Sequence, residues 1–299
     1  MNWLKSKKIV AVHSGEFHAD DIFSVAVLQI YLDEPLKIVR TRDDGEIQKA
    51  DYVLDVGRIY NPSENRFDHH QEGGAGARKN AVPYATFGLV WKEFGEKICG
   101  SKECAEQVDE KLAQVLDAED NAFDTSKFIV PNVGSYTVGD CIVRANCLCG
   151  NGGEQLFMFE RLVKLAVEII KMEIKVAERF LKDKMKVVTI YNFSEEKEII
   201  VLDGDYDFSI LSEYSEPLFV IRPNSSTLGW RVQCVKVKGE RFINKLDLPE
   251  SWAGKGGEDL AKITGVSDAY YCHHERFLAL AKSKEGAMEL AKLALNSQK

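Results

Sequence analysis

The chain of 299 residues is 45% hydrophobic and 29% charged, ordinary globular material for one large domain or two of usual size. Its formal net charge of −8 gives no general attraction to nucleic acid or anionic lipid. Phosphate substrates are not excluded, because bound divalent cations reverse a local field.

In chain order, KKIVAVHS is a short apolar run rich in β-branched residues, which predicts a buried strand. DDIFSVAVLQIYL is apolar almost all round, with acids at its start, and predicts a buried helix. LKIVRTR and DYVLDVG are predicted as the second and third strands. Strands separated by helices imply a parallel α/β sheet, which binds ligands beyond the carboxyl ends of its strands. VPYATFGLVWKEFG opens with a turn-type proline and continues as a helix, and EQVDEKLAQVLDAEDN is predicted as another. From about Glu154 to Met185 there is neither Gly nor Pro, which predicts one long helix or two stacked ones. VVTIYN, EIIVLDG, LFVIRPN, WRVQCVKV and AYYCHH are predicted as short strands, followed by a final helix around Lys284–Leu295. The expected organisation is a catalytic domain over 1–152, a linker helix over 153–186 and a smaller α+β domain over 187–299.

No apolar run approaches the roughly 20 residues needed to span a bilayer, so no membrane partner is expected. The hydrophobic stretch near the N-terminus is too brief for a signal peptide. Of the 7 cysteines only Cys147 and Cys149 are close together, and no second pair completes a zinc site. Reduced thiols and a cytoplasmic location are the expectation, with an oligomer left open.

Four of the 6 histidines gather at two predicted loops of the first domain. HSGEFHADD supplies His13, His18, Asp20 and Asp21, YVLDVG supplies Asp55, RFDHHQ supplies Asp68, His69 and His70, and LDAEDN supplies Asp117 and Asp120. Each has a bland reading alone: a strand-ending Asp is commonly a turn former or N-cap, and Asp117 with Asp120 fits a solvated helix face. Four segments placing His or Asp at site positions together weaken that reading. Mixed imidazole and carboxylate ligands suit Mn, Fe, Co or Zn and make Ca improbable. The candidates outnumber the four ligands of one tetrahedral zinc, whereas two ions about 3.5–4 Å apart with a bridging carboxylate would use them.

The order HSGEFHADD, VRTRDD, DYVLDVGRIYNPSENRFDHHQE, VPYATFGLVWKEFG, LDAEDN resembles the MYG-type branch of the DHH phosphoesterase superfamily. WRVQCV, LPESWAG and KEGAMELAKLAL extend the resemblance over nearly the whole chain. It implies a parallel-sheet domain carrying two divalent ions, Mn²⁺ first with Mg²⁺, Co²⁺ or Zn²⁺ as alternatives, and a C-terminal domain that closes over the substrate. It further implies that His13 and His18 bind the first metal, that Asp20 and His69 bind the second, and that Asp55 bridges them. His70 would face the scissile phosphate as donor or general acid, with Asp68 orienting it. Asp120 or Asp117 would be the last ligand. Among substrate contacts the resemblance singles out His273; Arg42, Arg231 and Lys282 are candidate phosphate-facing cations. A Gly-Gly pair expected after His273 is replaced by Ala279 and Leu280.

The implied function is a two-metal phosphodiesterase trimming RNA or short single-stranded nucleic acid as a 3′–5′ exonuclease. The alternatives are a small-molecule phosphohydrolase acting on a dinucleotide or pyrophosphate, and a metal-binding protein without turnover. The absence of a basic, aromatic-interleaved tract favours a short substrate.

Overall fold

The structure is a computed structural model that describes residues 7–123, 133–225 and 229–297. Its contacts divide it into two compact units, 1–178 and 179–299.

The first unit is built on four parallel strands, β1 (Ile9–Val12), β2 (Lys37–Arg40), β3 (Tyr52–Leu54) and β4 (Arg66–Phe67), in the order β2-β1-β3-β4. Val10, Ala11 and Val12 are fully buried, which explains the unbroken apolar run of β1. Helix α1 (Ala19–Leu32) follows β1 and is buried from Ala19 to Leu28, with Asp20 and Asp21 in its first turn. A short helix, α2 (Asp44–Lys49), links β2 to β3. Helix α3 (Thr86–Cys99) packs on α1, and Phe23 meets Phe87 with ring centroids 5.3 Å apart.

The segment predicted as one helix before Asn121 is α4 (Lys102–Val108), a π-helical turn (Asp109–Ala113) and α5 (Gln114–Asp120). Helix α6 (Val138–Ala145) follows, opened by a capping box between Thr137 and Asp140. Helix α7 (Gly152–Phe193) is one continuous helix of 42 residues, and the division between the units falls within it.

VVTIYN is therefore helical and not the predicted strand. Val187 and Tyr191, four residues apart, both bury against Ile200, Leu202 and Val220, so tertiary packing on a helical face overrides β-branched propensity. The second unit carries β5 (Ile199–Val201), β6 (Phe219–Pro223), β7 (Trp230–Cys234), β8 (Ala269–Cys272) and β9 (Leu278–Ala281). Their order is β5-β6-β7-β9-β8, with β5 and β6 parallel and the other pairs antiparallel. Helices α8 (Gly257–Thr264) and α9 (Lys284–Asn296) join this core, where Leu260, Leu290 and Ala291 meet Phe219, Ile221 and Val232. Among the described residues no helix is long and apolar enough to cross a membrane.

Candidate active site

Three of the four parallel strands deliver their chemistry at one edge. His13 directly follows β1, Asp55 follows β3, and Asp68, His69 and His70 follow β4. RFDHHQ is thus the end of a fourth strand and its loop, where the sequence pattern had shown only a loop. Asp55 has φ 56 and Arg58 φ 56, left-handed values that non-glycine residues seldom adopt, and Gly57 has φ 92. That turn points the Arg58 amide back to Asp68 Oδ2 at 2.6 Å.

Asp55 stands at the centre. His13 Nε2 lies 3.3 Å from its Oδ2, and His69 Nε2 and His70 Nδ1 lie 3.6 and 3.3 Å from its Oδ1. His13 Nε2 is also 3.2 Å from Asp21 Oδ2, and His69 Nε2 is 3.1 Å from Asp120 Oδ2. His13 Nδ1 donates to the Ser14 carbonyl at 3.3 Å, which leaves Nε2 to carry the lone pair that a metal takes. His70 is disposed differently. Its Nδ1 is 2.8 Å from Asp68 Oδ1, which also accepts the His70 amide at 2.9 Å, so this exposed ring is held through Nδ1 and keeps Nε2 for another partner.

Asp20 is completely enclosed, accepting the Thr86 amide at 3.0 Å and the Phe87 amide at 2.6 Å from the start of α3. Asp117 accepts the third amide, Gly88, at 2.9 Å and pairs with Arg78 at 2.7 Å. Arg78 in turn forks onto Asp109 at the π turn, with its Nε 2.9 Å from Oδ2 and its second terminal nitrogen 2.6 Å from Oδ1. Asp117 is thereby taken up inside the fold, while Asp120, one helical turn on, faces His69.

Among the described residues two groups each bring their donor atoms within 4.8 Å of one another: Asp55, His69 and His70; and Asp20, His69 and Asp120. His18 is exposed and belongs to neither group, its ring centroid 5.7 Å from that of His13. Asp21, which the resemblance did not assign, reaches His13 directly, and its only signal in the sequence was its place beside Asp20.

The charges are out of balance. Burial, followed by the fields of Asp120, Asp55 and Asp117, pushes the Asp20 carboxyl well above the usual carboxylate range. Burial opposes protonation of His13, but its bonds to Asp21 and Asp55 win and raise it to about 10. For His70 the bonds to Asp55 and Asp68 dominate and raise it to about 10. His69 Nε2 and Asp21 Oδ2 are buried without a hydrogen-bond partner of good geometry. Orphaned donors of this kind, among excess carboxylates, fit a divalent cation. These acidic and histidine groups can hold a metal.

A cavity of about 330 Å³ opens over this cluster, lined by His13, Asp55, Asp68, His70 and Asp120, with Arg42 on its wall. Arg42 is held by the Ser14 carbonyl at 3.2 Å.

The other candidates lie in the second unit. Arg231 bonds Asn224 Oδ1 at 2.6 Å, and the exposed Lys282 follows β9. His273 sits in the β8–β9 turn, where its Nδ1 accepts the Glu275 amide at 3.1 Å, and its ring stacks on His274 and meets Phe277 at a tilt. Ala279 is fully buried within β9.

The model of the family MYG1_exonuc, described as an uncharacterised protein family (UPF0160), matches residues 9–295. The chain belongs to that family. Members similar to it include a "MYG1 protein" of Chlamydia trachomatis, 29% identical over 299 residues and covering 97% of both chains. A "MYG1 protein" of Dictyostelium discoideum is 28% identical over 330 residues, covering 96% of both. A human protein named "MYG1 exonuclease" is 24% identical over 323 residues, covering 96% of this chain and 85% of its own. No solved structure matches the chain. Within the family fold, the site described above is where the sequence motifs and the sheet edge coincide.

Proposed function

We propose that this family member is a two-metal-dependent phosphodiesterase of the DHH superfamily, acting as a 3′–5′ exonuclease on RNA or short single-stranded nucleic acid. The observation that carries the reading is the pair of donor groups that meet at His69, one on the Asp55 side and one on the Asp20–Asp120 side. The name of the human relative as an exonuclease agrees with it.

His13, Asp55, His69, Asp20 and Asp120 would hold the ions, and His18, at the start of α1, would be a further ligand. Bound divalent ions would supply Lewis acidity to the phosphoryl oxygens and lower the pKa of water. The chain's own residues do the rest. Asp68 fixes the His70 ring and holds its Nδ1 proton, so that Nε2 can donate to a phosphate or leaving-group oxygen. The turn at Asp55–Arg58 presets Asp68 before substrate arrives. Arg42 on the cavity wall offers a cation to a second phosphate. Closure of the second unit, with Arg231, His273 and Lys282 as contacts, would position the substrate.

The modest cavity and the net charge of −8 favour one specific second reading, a phosphohydrolase of dinucleotides. Protein refilled with Mn²⁺ is expected to approach two equivalents of metal, to hydrolyse bis-p-nitrophenyl phosphate and RNA oligomers, and to lose both activities in EDTA. A reproducible single equivalent in excess Mn²⁺ would overturn the two-metal mechanism. Rapid turnover of dinucleotides with none of pentamers would select the second reading.

A further inference from the structure

A second cavity, about 670 Å³, shares His18 and Asp120 with the first and is also lined by Asp20. Its remaining wall is different in kind. Ala19, Leu116 and Val143 contribute apolar surface, Arg144 a cation, and Glu119 and Asp140 two further carboxylates. The Arg144 guanidinium carbon lies 5.8 Å from the centroid of the Tyr136 ring, and that ring is 70% exposed. Val143 is itself 46% exposed. Arg144 meets the charge of Asp140 one helical turn earlier, yet its side chain and the Tyr136 ring stay exposed, which leaves their faces open to a ligand. Tyr136 buries too little area to serve the core, and an exposed cation–aromatic contact is worth only about 0.5–1 kcal/mol.

Flat π-surfaces paired with a guanidinium are what the face of a nucleobase recognises, and such stacking is tolerant of sequence. The site also has the right neighbour, since Val143 and Arg144 line the same cavity as Asp20 and Asp120, and Tyr136 stands beside Arg144. Thr137 bonds to Asp140 and caps α6, so the platform starts from a fixed helix end.

On the reading that the protein cleaves nucleic acid, we infer that Tyr136, Val143 and Arg144 form a stacking subsite for the nucleobase next to the scissile phosphate. The subsite is a specificity element: it would distinguish a substrate that carries a base from a bare phosphodiester. It accounts for binding of a single-stranded end by an acidic protein that lacks a basic track.

The test uses full-length Mn²⁺-loaded protein and a single-stranded RNA pentamer with 2-aminopurine at its terminal position. Tyr136→Ala, Tyr136→Trp and Arg144→Ala are compared with wild type for KM on the pentamer and for 2-aminopurine quenching on binding. The ratio of pentamer to bis-p-nitrophenyl phosphate hydrolysis is the third readout. Loss of one stacked base by alanine substitution corresponds to about 5- to 150-fold in affinity. We expect Tyr136→Ala to raise KM about tenfold, to abolish quenching and to lower the activity ratio by a similar factor. Arg144→Ala should act in the same direction, and Tyr136→Trp should restore wild-type behaviour. A Tyr136→Ala protein with pentamer KM and quenching within twofold of wild type would overturn the subsite and leave the phosphodiesterase reading standing. Wild-type protein that hydrolyses neither substrate would remove both.

Discussion

At the carboxyl edge of the first sheet Asp20, Asp21, Asp55 and Asp120 crowd around the imidazoles of His13 and His69. In the second unit, by contrast, carboxylates face cations of their own. Asp205 pairs with Arg222, which also bonds the Tyr206 carbonyl at 2.9 Å and Gln233 Oε1 at 3.0 Å, and Asp247 pairs with Arg276 at 3.2 Å. A fold that balances its charge locally is stabilised without help. One that gathers carboxylates around two imidazoles, with His69 Nε2 and Asp21 Oδ2 left without a hydrogen bond, is incomplete until something positive arrives. The contrast separates a structural polar network from a site.

The largest effect is expected at His70, whose Nδ1 is held by Asp68 at 2.8 Å and Asp55 at 3.3 Å, so that its exposed ring keeps Nε2 for another partner. His70→Ala should keep its metal, measured by elemental analysis, and lose roughly 10²- to 10⁴-fold in turnover, the usual worth of a positioned acid. Loss of an equivalent of metal instead would make His70 a ligand.

Next come two acids one helical turn apart. Asp117 is fully buried against Arg78 and the Gly88 amide, so Asp117→Ala leaves a buried guanidinium partly unpaired and should cost about 3–5 kcal/mol in denaturant unfolding. Asp120→Ala should spare the stability of the metal-free chain and reduce metal content. The reverse pattern would exchange their roles.

This pair also marks how far the sequence could be read. β1, α1, β2, β3 and α3 were legible because apolar runs and acidic helix starts are local signals. Which aspartate points into the site depends on Arg78, a partner 39 residues away across the fold. β4 has only two residues, too few for a pattern, and its pairing with β3 is what brings Asp68–His70 to the sheet edge. VVTIYN misleads for the same reason, since its helical state is set by the pocket that receives Val187 and Tyr191. The candidate ligands stood out as residue types, whereas their division into donors and orienting groups required the geometry.

A smaller effect is expected at Arg222. Its side chain is mostly buried and its charge is met by Asp205, so Arg222→Ala should destabilise by about 1.5–3 kcal/mol, the range for hydrogen bonds to charged groups. Metal content should not change. A fall in metal content on this substitution would show that the charge balance of the second unit is not self-contained.

The smallest effect at neutral pH, and one that grows with alkali, concerns the buried thiols of the second unit. Cys234 donates to the Arg276 carbonyl at 3.4 Å and Cys272 to the His273 carbonyl at 3.6 Å, bonds that a thiolate cannot make. Burial pushes Cys234 up to about 12, with the Asp247 charge adding to it, and Cys272 up to about 11. In the unfolded chain both lose their protons near pH 8.5. Above that pH the folded state holds more protons than the unfolded one, so stability falls as pH rises. Below it the contribution is fully present. The slope can reach about 1.4 kcal/mol per pH unit for each thiol. Urea unfolding at pH 8 and pH 10 should therefore give a smaller stability difference in Cys234→Ala than in wild type, whatever that substitution costs at pH 8. An equal difference in the two proteins would mean that Cys234 ionises in the folded state as easily as in the unfolded chain, and that this unit is less closed to charge than its paired carboxylates imply.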